Sequence, residues 1–167
     1  LALYPDADVV TVALAGTHEL VSWSWNENEQ ISAAVVDPHG VATTSDAAFT
    51  ARFRSAEDAG QAFRVDHSGE SATFVIPKDL GPDSDTDARG LPTLLGAVAL
   101  SPDGQKLFVA GAKANNDRGL RRDGLAYTFE TATRSTLRVL DSATGEQQLR
   151  SLFDNRDLVG ALAFTPM

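Results

Sequence analysis

Short apolar runs separated by turn residues recur along this chain, and three of them share a wording. Residues 31–40 (ISAAVVDPHG), 95–104 (LGAVALSPDG) and 159–167 (VGALAFTPM) each begin 64 residues after the last. In every block a run of small apolar residues climbs to a proline, and in the first two Pro-x-Gly follows. Such a run is the pattern of a buried strand closed by a tight turn. A fixed spacing predicts a repeated supersecondary unit. An offset of 128 residues lays Val9, Val10, Thr11 and Val12 over Leu137, Arg138, Val139 and Leu140, and Trp23-Ser24-Trp25 over Ser151-Leu152-Phe153. Thr73-Phe74-Val75-Ile76 falls into the same register at half that offset.

The fullest copy, residues 95–153, reads as four strands. Residues 95–100 form the first, their small Gly96, Ala97 and Ala99 suited to a crowded axis. Ser101-Pro102-Asp103-Gly104 turns the chain, proline fixing φ and glycine supplying positive φ. Residues 107–110, 136–141 and 146–153 follow, Leu137 and Val139 alternating with Arg138 in the third. Taking the 22 residues of an insertion at 112–133 from the 64-residue period leaves 42, within the ~40–45 of a four-stranded propeller blade. The expected class is therefore all-β, a partial β-propeller of about two and a half antiparallel blades. Residues 1–30 would end one blade, beginning within its third strand. Residues 31–94 and 95–158 would be two blades with insertions, and residues 159–167 the first strand of another. Such an arc would leave apolar faces open, so the chain is expected to belong to a larger polypeptide or to be completed by another chain. A short helix or turn is the expectation for SAEDAGQAF, residues 55–63.

Composition narrows the partners. The 167 residues are 43% hydrophobic with 7 prolines and 13 glycines, a globular composition of about one domain. A net charge of −9 argues against a nucleic-acid or anionic-lipid surface and leaves neutral, basic or metallic partners. No apolar run reaches the length of a transmembrane helix. With no cysteine the chain has no disulfide, thiolate ligand or Cys-x-x-Cys-His haem attachment, so it holds no haem of its own.

Several of these residues together resemble a known family. Pro92, Leu95-Gly96, the Ser-Pro-Asp-Gly turn, Asn116-Asp117-Arg118-Gly119-Leu120-Arg121-Arg122-Asp123-Gly124 with Thr128-Phe129-Glu130, Val139-Leu140-Asp141, Thr144-Gly145 and Phe153-Asp154-Asn155-Arg156 are similar to bacterial YVTN-type β-propellers. The likeness is greater still to the secreted propellers associated with di-haem cytochrome c peroxidase-like proteins. It covers residues 90–167, and the Arg-Gly-Leu-x-Arg-Asp-Gly stretch is its most specific part. The resemblance implies a seven-bladed parent, a periplasmic or extracellular location, and a c-type cytochrome or the rest of the chain's own propeller as protein partner. Haem would then enter only through a partner or a further domain.

Candidate chemistry gathers in two segments. Asn115, Asn116, Asp117, Arg118, Arg121, Arg122 and Asp123 bring amide, carboxylate and guanidinium groups together in a long connection, the kind of segment that binds partners. Asp83, Asp85 and Asp87 alternate as calcium-loop ligands do, with Asp79 near them, although Ala88 and Leu94 stand where an EF-hand places glycine and glutamate. His18, His39 and His67 are too far apart for a local metal motif and read as turn histidines, with His39 the best placed for a shared rim. Trp23 and Trp25 share a strand face and are expected to pack between sheets. No Gly-x-Ser-x-Gly elbow, Walker loop or dinucleotide fingerprint is present. Two readings remain: a non-catalytic propeller that binds a protein such as a periplasmic redox partner, or a lactonase-like hydrolase with its acid and base groups at the channel mouth.

Overall fold

The computed structural model describes residues 1–3, 8–24, 26–56, 58–81, 89–115, 133–153 and 159–164. Every regular element among them is a strand. The first sheet comprises β1 (Ala2–Leu3), β2 (Val9–Leu14), β3 (Glu19–Ser24) and β4 (Glu29–Ala34). The second is β5 (Pro38–Thr43), β6 (Ala47–Arg52), β7 (Ala59–Asp66) and β8 (Ser71–Pro77). The third is β9 (Leu91–Leu100), β10 (Lys106–Ala114), β11 (Thr133–Asp141) and β12 (Gln147–Phe153). Each is an antiparallel meander in which sequence neighbours are hydrogen-bonded neighbours.

The sheets stack face to face, and strand alternation dictates how. On the second sheet Ala47, Phe49, Ala51, Ala62, Phe74 and Ile76 point one way and meet Leu95, Leu107, Val109 and Leu140 of the third. The intervening positions Ala48, Phe63 and Val65 point the other way, onto Leu20 and Ala33 of the first sheet. One sheet thus packs on both faces, most completely at β6, where residues 47–51 are all buried. The first strands β1, β5 and β9 lie beside one another along the inner side. There Gly40, at φ +64°, brings its backbone so close to β9 that a Cβ would stand 2.8 Å from the Gly96 carbonyl oxygen. Only glycine allows that approach.

The structure departs from the 64-residue period. Residues 31–34 end the first sheet as its outer strand, and the inner strand of the second begins at Pro38. The apolar run 31–36 is cut at Asp37, whose φ of +48° turns the chain ahead of the proline. The period aligned β2 with β11 and with β8, strands of different rank in their sheets, because each carries the same alternation. Residues 2–34 accordingly make a four-stranded sheet where the end of a blade was expected, and three sheets replace two and a half. Of residues 55–63, Ala56 and Ala59 pair across a turn, the turn that was one of the two expectations, and β7 begins at Ala59, so the described residues of this segment carry no helix. Strands β10 and β11 run to Ala114 and from Thr133, so the insertion is shorter than 112–133. Residues 159–164 form no strand, but Phe164 stands edge-on to Phe108, ring centroids 4.9 Å apart, on the far side of the third sheet. The expected hairpin does close at Ser101–Lys106, with Gly104 at φ +71°.

Candidate functional site

One end of the stack carries the connections between sheets and the β2–β3, β6–β7 and β10–β11 loops; the other carries the β5–β6, β7–β8, β9–β10 and β11–β12 turns. At the first end two buried aspartates organise the backbone.

Asp37, in the link from the first sheet to the second, engages its backbone N–H, its carbonyl and its carboxylate. Its N–H donates to His18 Nδ1 at 3.0 Å, its carbonyl accepts from the Phe53 N–H at 2.9 Å, and its Oδ2 accepts from Arg54 N and Nε, both at 3.1 Å. The Arg54 hydrogen bond holds the Asp37 carboxyl below the usual carboxylate range. His39 stacks on Phe53 with centroids 4.3 Å apart. Phe53 in turn accepts from Leu95 N–H at 3.1 Å, and Ser55 donates to the Pro92 carbonyl, joining this corner to the third sheet. His18, Asp37 and Leu94 adopt positive φ here without being glycine; such conformations persist only where the surroundings impose them.

Asp79 lies on the connection from β8 to β9 and is 7% exposed. Arg138 reaches it with Nη2 at 2.7 Å and Nη1 at 3.2 Å, Lys113 Nζ at 3.1 Å and Arg150 Nη1 at 3.0 Å. The three cations come from β11, β10 and β12, so one carboxylate is gripped by three strands of the third sheet. Burial pushes the Asp79 carboxyl up, but Arg138 and Lys113 outweigh it and hold the group below its ordinary value. The backbones of Asp79 and Gly90 exchange hydrogen bonds at 2.9 and 3.0 Å, closing the base of the connection. Gly90, at φ +144°, packs so tightly that a Cβ would lie 2.5 Å from the Ala114 carbonyl oxygen.

These contacts bring together segments that the sequence kept apart. Asn115, buried at the end of β10, stands beside Gly90, so the two candidate connections leave the third sheet from adjacent points. Asn116, Asp117, Arg118, Arg121, Arg122, Asp123, Asp83, Asp85 and Asp87 lie outside the described residues. Asp79, considered as a neighbour of a calcium loop, is instead committed to three cations. No group of three or more metal-binding side chains occurs among the described residues. Arg138, which alternates with Leu137 and Val139, is fully buried, because it shares its face with Leu140 and not with them. Lys113 and Arg150 carried no signal of their own. The parity of Arg138 and Leu140 was the available clue. Trp23 is 43% exposed where packing between sheets was expected, His39 is half-buried on β5, and His18 and His67 are exposed at turns.

The opposite end is acidic and locally ordered. Asp66, Asp103 and Asp141 each accept backbone N–H groups of their own turns, and Asp46 pairs with Arg64 at 3.1 Å. A groove of about 900 Å³ runs between residues 42–46 and 100–104, with one of about 450 Å³ beside it toward Ser142. The carboxylates along it are occupied in shaping the turns.

No family model matches the chain, and no curated protein matches it. Solved structures do. Hydrazine synthase of Kuenenia stuttgartiensis superposes with a TM-score of 0.67 at 14% identity, over 93% of this chain and 42% of that one. Acylaminoacyl peptidase of Pyrococcus horikoshii gives 0.55 at 13% identity, over 91% and 24%. The β-propeller domain of the Trilobed protease from Pyrococcus furiosus gives 0.52 at 10% identity, over 91% and 42%. At such identities the likeness speaks to fold, and the fold is that of β-propeller blades. This chain spans less than half the length of each of these structures.

Proposed function

We propose that these blades belong to an extracytoplasmic binding module whose Asp37–Asp79 end receives a protein, a periplasmic redox protein of the c-type cytochrome kind being the partner implied by the resemblance to peroxidase-associated propellers. The observation that carries this reading is the Asp79 clamp. A carboxylate buried under three cations fixes the base of residues 78–90 against Ala114 and Asn115. A long connection launched from a rigid base suits recognition, since less order has to be imposed on binding. The insertion beyond Asn115 supplies guanidinium, carboxylate and amide groups for contact with a polar protein surface. Calcium at Asp83, Asp85 and Asp87 would be an accessory to such a surface.

Calorimetric titration of a c-type cytochrome into the chain tests this. Replacing residues 116–132 by a short Gly-Ser turn should weaken binding more than about tenfold while leaving the circular dichroism spectrum unchanged. Equal affinity in both would reject the reading. A second reading is a lactonase-like hydrolase; its support is that acylaminoacyl peptidase is among the structures with these blades. Lactone hydrolysis that requires a divalent cation and is lost with the same loop would favour it.

A further inference from the structure

We propose that Arg52 and Gln61, at the Asp37 end of the second sheet, form a binding site for the carboxylate of an aliphatic acid whose chain lies over Val75. The unmatched charge of Arg52 is the observation behind it. Arg54, Arg64, Lys113, Arg138 and Arg150 each meet a carboxylate oxygen at 2.7–3.1 Å. Arg52 meets none among the described residues; its guanidinium donates from Nη1 to Gln61 Oε1 at 3.0 Å. Its Nε is buried without a hydrogen-bond partner. A guanidinium drawn half out of water is costly unless an anion faces it, and nothing in the fold calls for a charge here. Arg52 shares its face of β6 with Ala48 and Thr50, both buried, so an apolar side chain would extend that face at less cost.

Strand register sets what lies beside the charge. Ala51 pairs with Ala62 and Gln61 with Val75, so Arg52, Gln61 and Val75 form one row across β6, β7 and β8. The row lies on the face of the second sheet that also carries Phe63. Phe63 is buried in the cluster with Leu20 of the first sheet, whereas Arg52 and Gln61 are half-buried and Val75 is 58% exposed. Cover by the first sheet therefore gives out along this row. Gln61, with its Oε1 held by Arg52, turns its amide N–H groups to the open side, and the Nη nitrogens of Arg52 carry more N–H groups than Gln61 takes. These donors match the oxygens of a carboxylate. Neighbouring strands lie about 4.8 Å apart, which puts Val75 about 10 Å from Arg52 and calls for a chain of several carbons to reach it.

Titration of the chain with hexanoate, acetate and inorganic phosphate at constant ionic strength tests this, followed through the NMR signals of Arg52 Nε–Hε and the Gln61 side-chain amide. We expect both signals to shift saturably with hexanoate, half-saturating below about 10 mM. Acetate, which leaves Val75 uncovered, should bind at least about tenfold more weakly, and phosphate should also bind more weakly than hexanoate. Arg52→Gln and Gln61→Leu should each weaken hexanoate binding more than about tenfold, and Val75→Ser should bring hexanoate to the level of acetate. The last two variants decide the matter if Arg52→Gln fails to fold. No saturable shift in the unaltered chain, acetate or phosphate binding as tightly as hexanoate, or an unchanged hexanoate affinity in Gln61→Leu and Val75→Ser would each overturn the proposal.

Discussion

Asp79 and Arg138, 59 residues apart in sequence, form a two-pronged ion pair at 2.7 and 3.2 Å with both side chains removed from water. The pair fastens the link between the second and third sheets to the middle of the third. A buried charge of this kind is costly to leave without its partner. Asp79→Ala should therefore lower the stability of the chain by about 3–5 kcal/mol, read from the urea midpoint. A change under about 1 kcal/mol would mean that the group is solvated in solution.

Acid should act through the same carboxylates. Asp37, Asp46, Asp66, Asp79, Asp103 and Asp141 all have pKa values held below the ordinary 3.8 in the folded chain. For a depressed carboxyl the unfolded chain binds the proton first as pH falls. The stabilisation is therefore complete above about pH 5, declines as the pH falls past 3.8, and is gone below the folded-state values. Urea midpoints should be level from neutral pH to about 5 and then fall, less steeply in Asp79→Asn. A main loss well above about pH 5 would contradict a carboxylate origin.

Two glycines should answer oppositely to alanine. Gly90→Ala forces a Cβ against the Ala114 carbonyl at a φ of +144°, and should cost more than about 2 kcal/mol. Gly16 has nothing within 4 Å of the same position, so Gly16→Ala should be neutral or stabilise by up to about 1 kcal/mol. Thermal melts of the two variants check this, and similar melting temperatures would refute the packing described at Gly90.

At the other buried aspartate the two partners should be unequal. Arg54 is 75% exposed, so Arg54→Ala should change stability by less than about 1 kcal/mol. Asp37→Ala removes the acceptor of the Arg54 N–H in a buried turn and should cost about 1–3 kcal/mol. Chemical denaturation of the two single variants separates the roles, and equal losses would contradict them.

The all-β class and the four strands of residues 95–153 were legible because alternation and the Ser-Pro-Asp-Gly turn are local signals. Sheet rank was not. Residues 31–34 and 95–98 carry the same small apolar pattern, yet one is an outer strand and the other an inner one. What separates them is the positive φ at Asp37, imposed by His18, Phe53 and Arg54 from distant parts of the chain. The Asp79 cluster was hidden for a similar reason. A lone arginine in an alternating strand reads as solvent-facing, and the parity of Arg138 with Leu140 tells its burial only once the packing shows that Leu140 lies in the core between the second and third sheets. Asn115 was singled out for the richness of its loop and is buried just beyond β10, while Lys113 and Arg150 depend on tertiary approach alone.

The central claim, that the clamped end of the blades is a protein-binding surface, is tested most directly by residue-resolved NMR of the isotope-labelled chain during titration with an unlabelled c-type cytochrome. Shifts should concentrate in residues 78–90 and 113–123 and spare the opposite turns at 44–46, 101–105 and 142–146. Shifts confined to those opposite turns, or none at all, would contradict it.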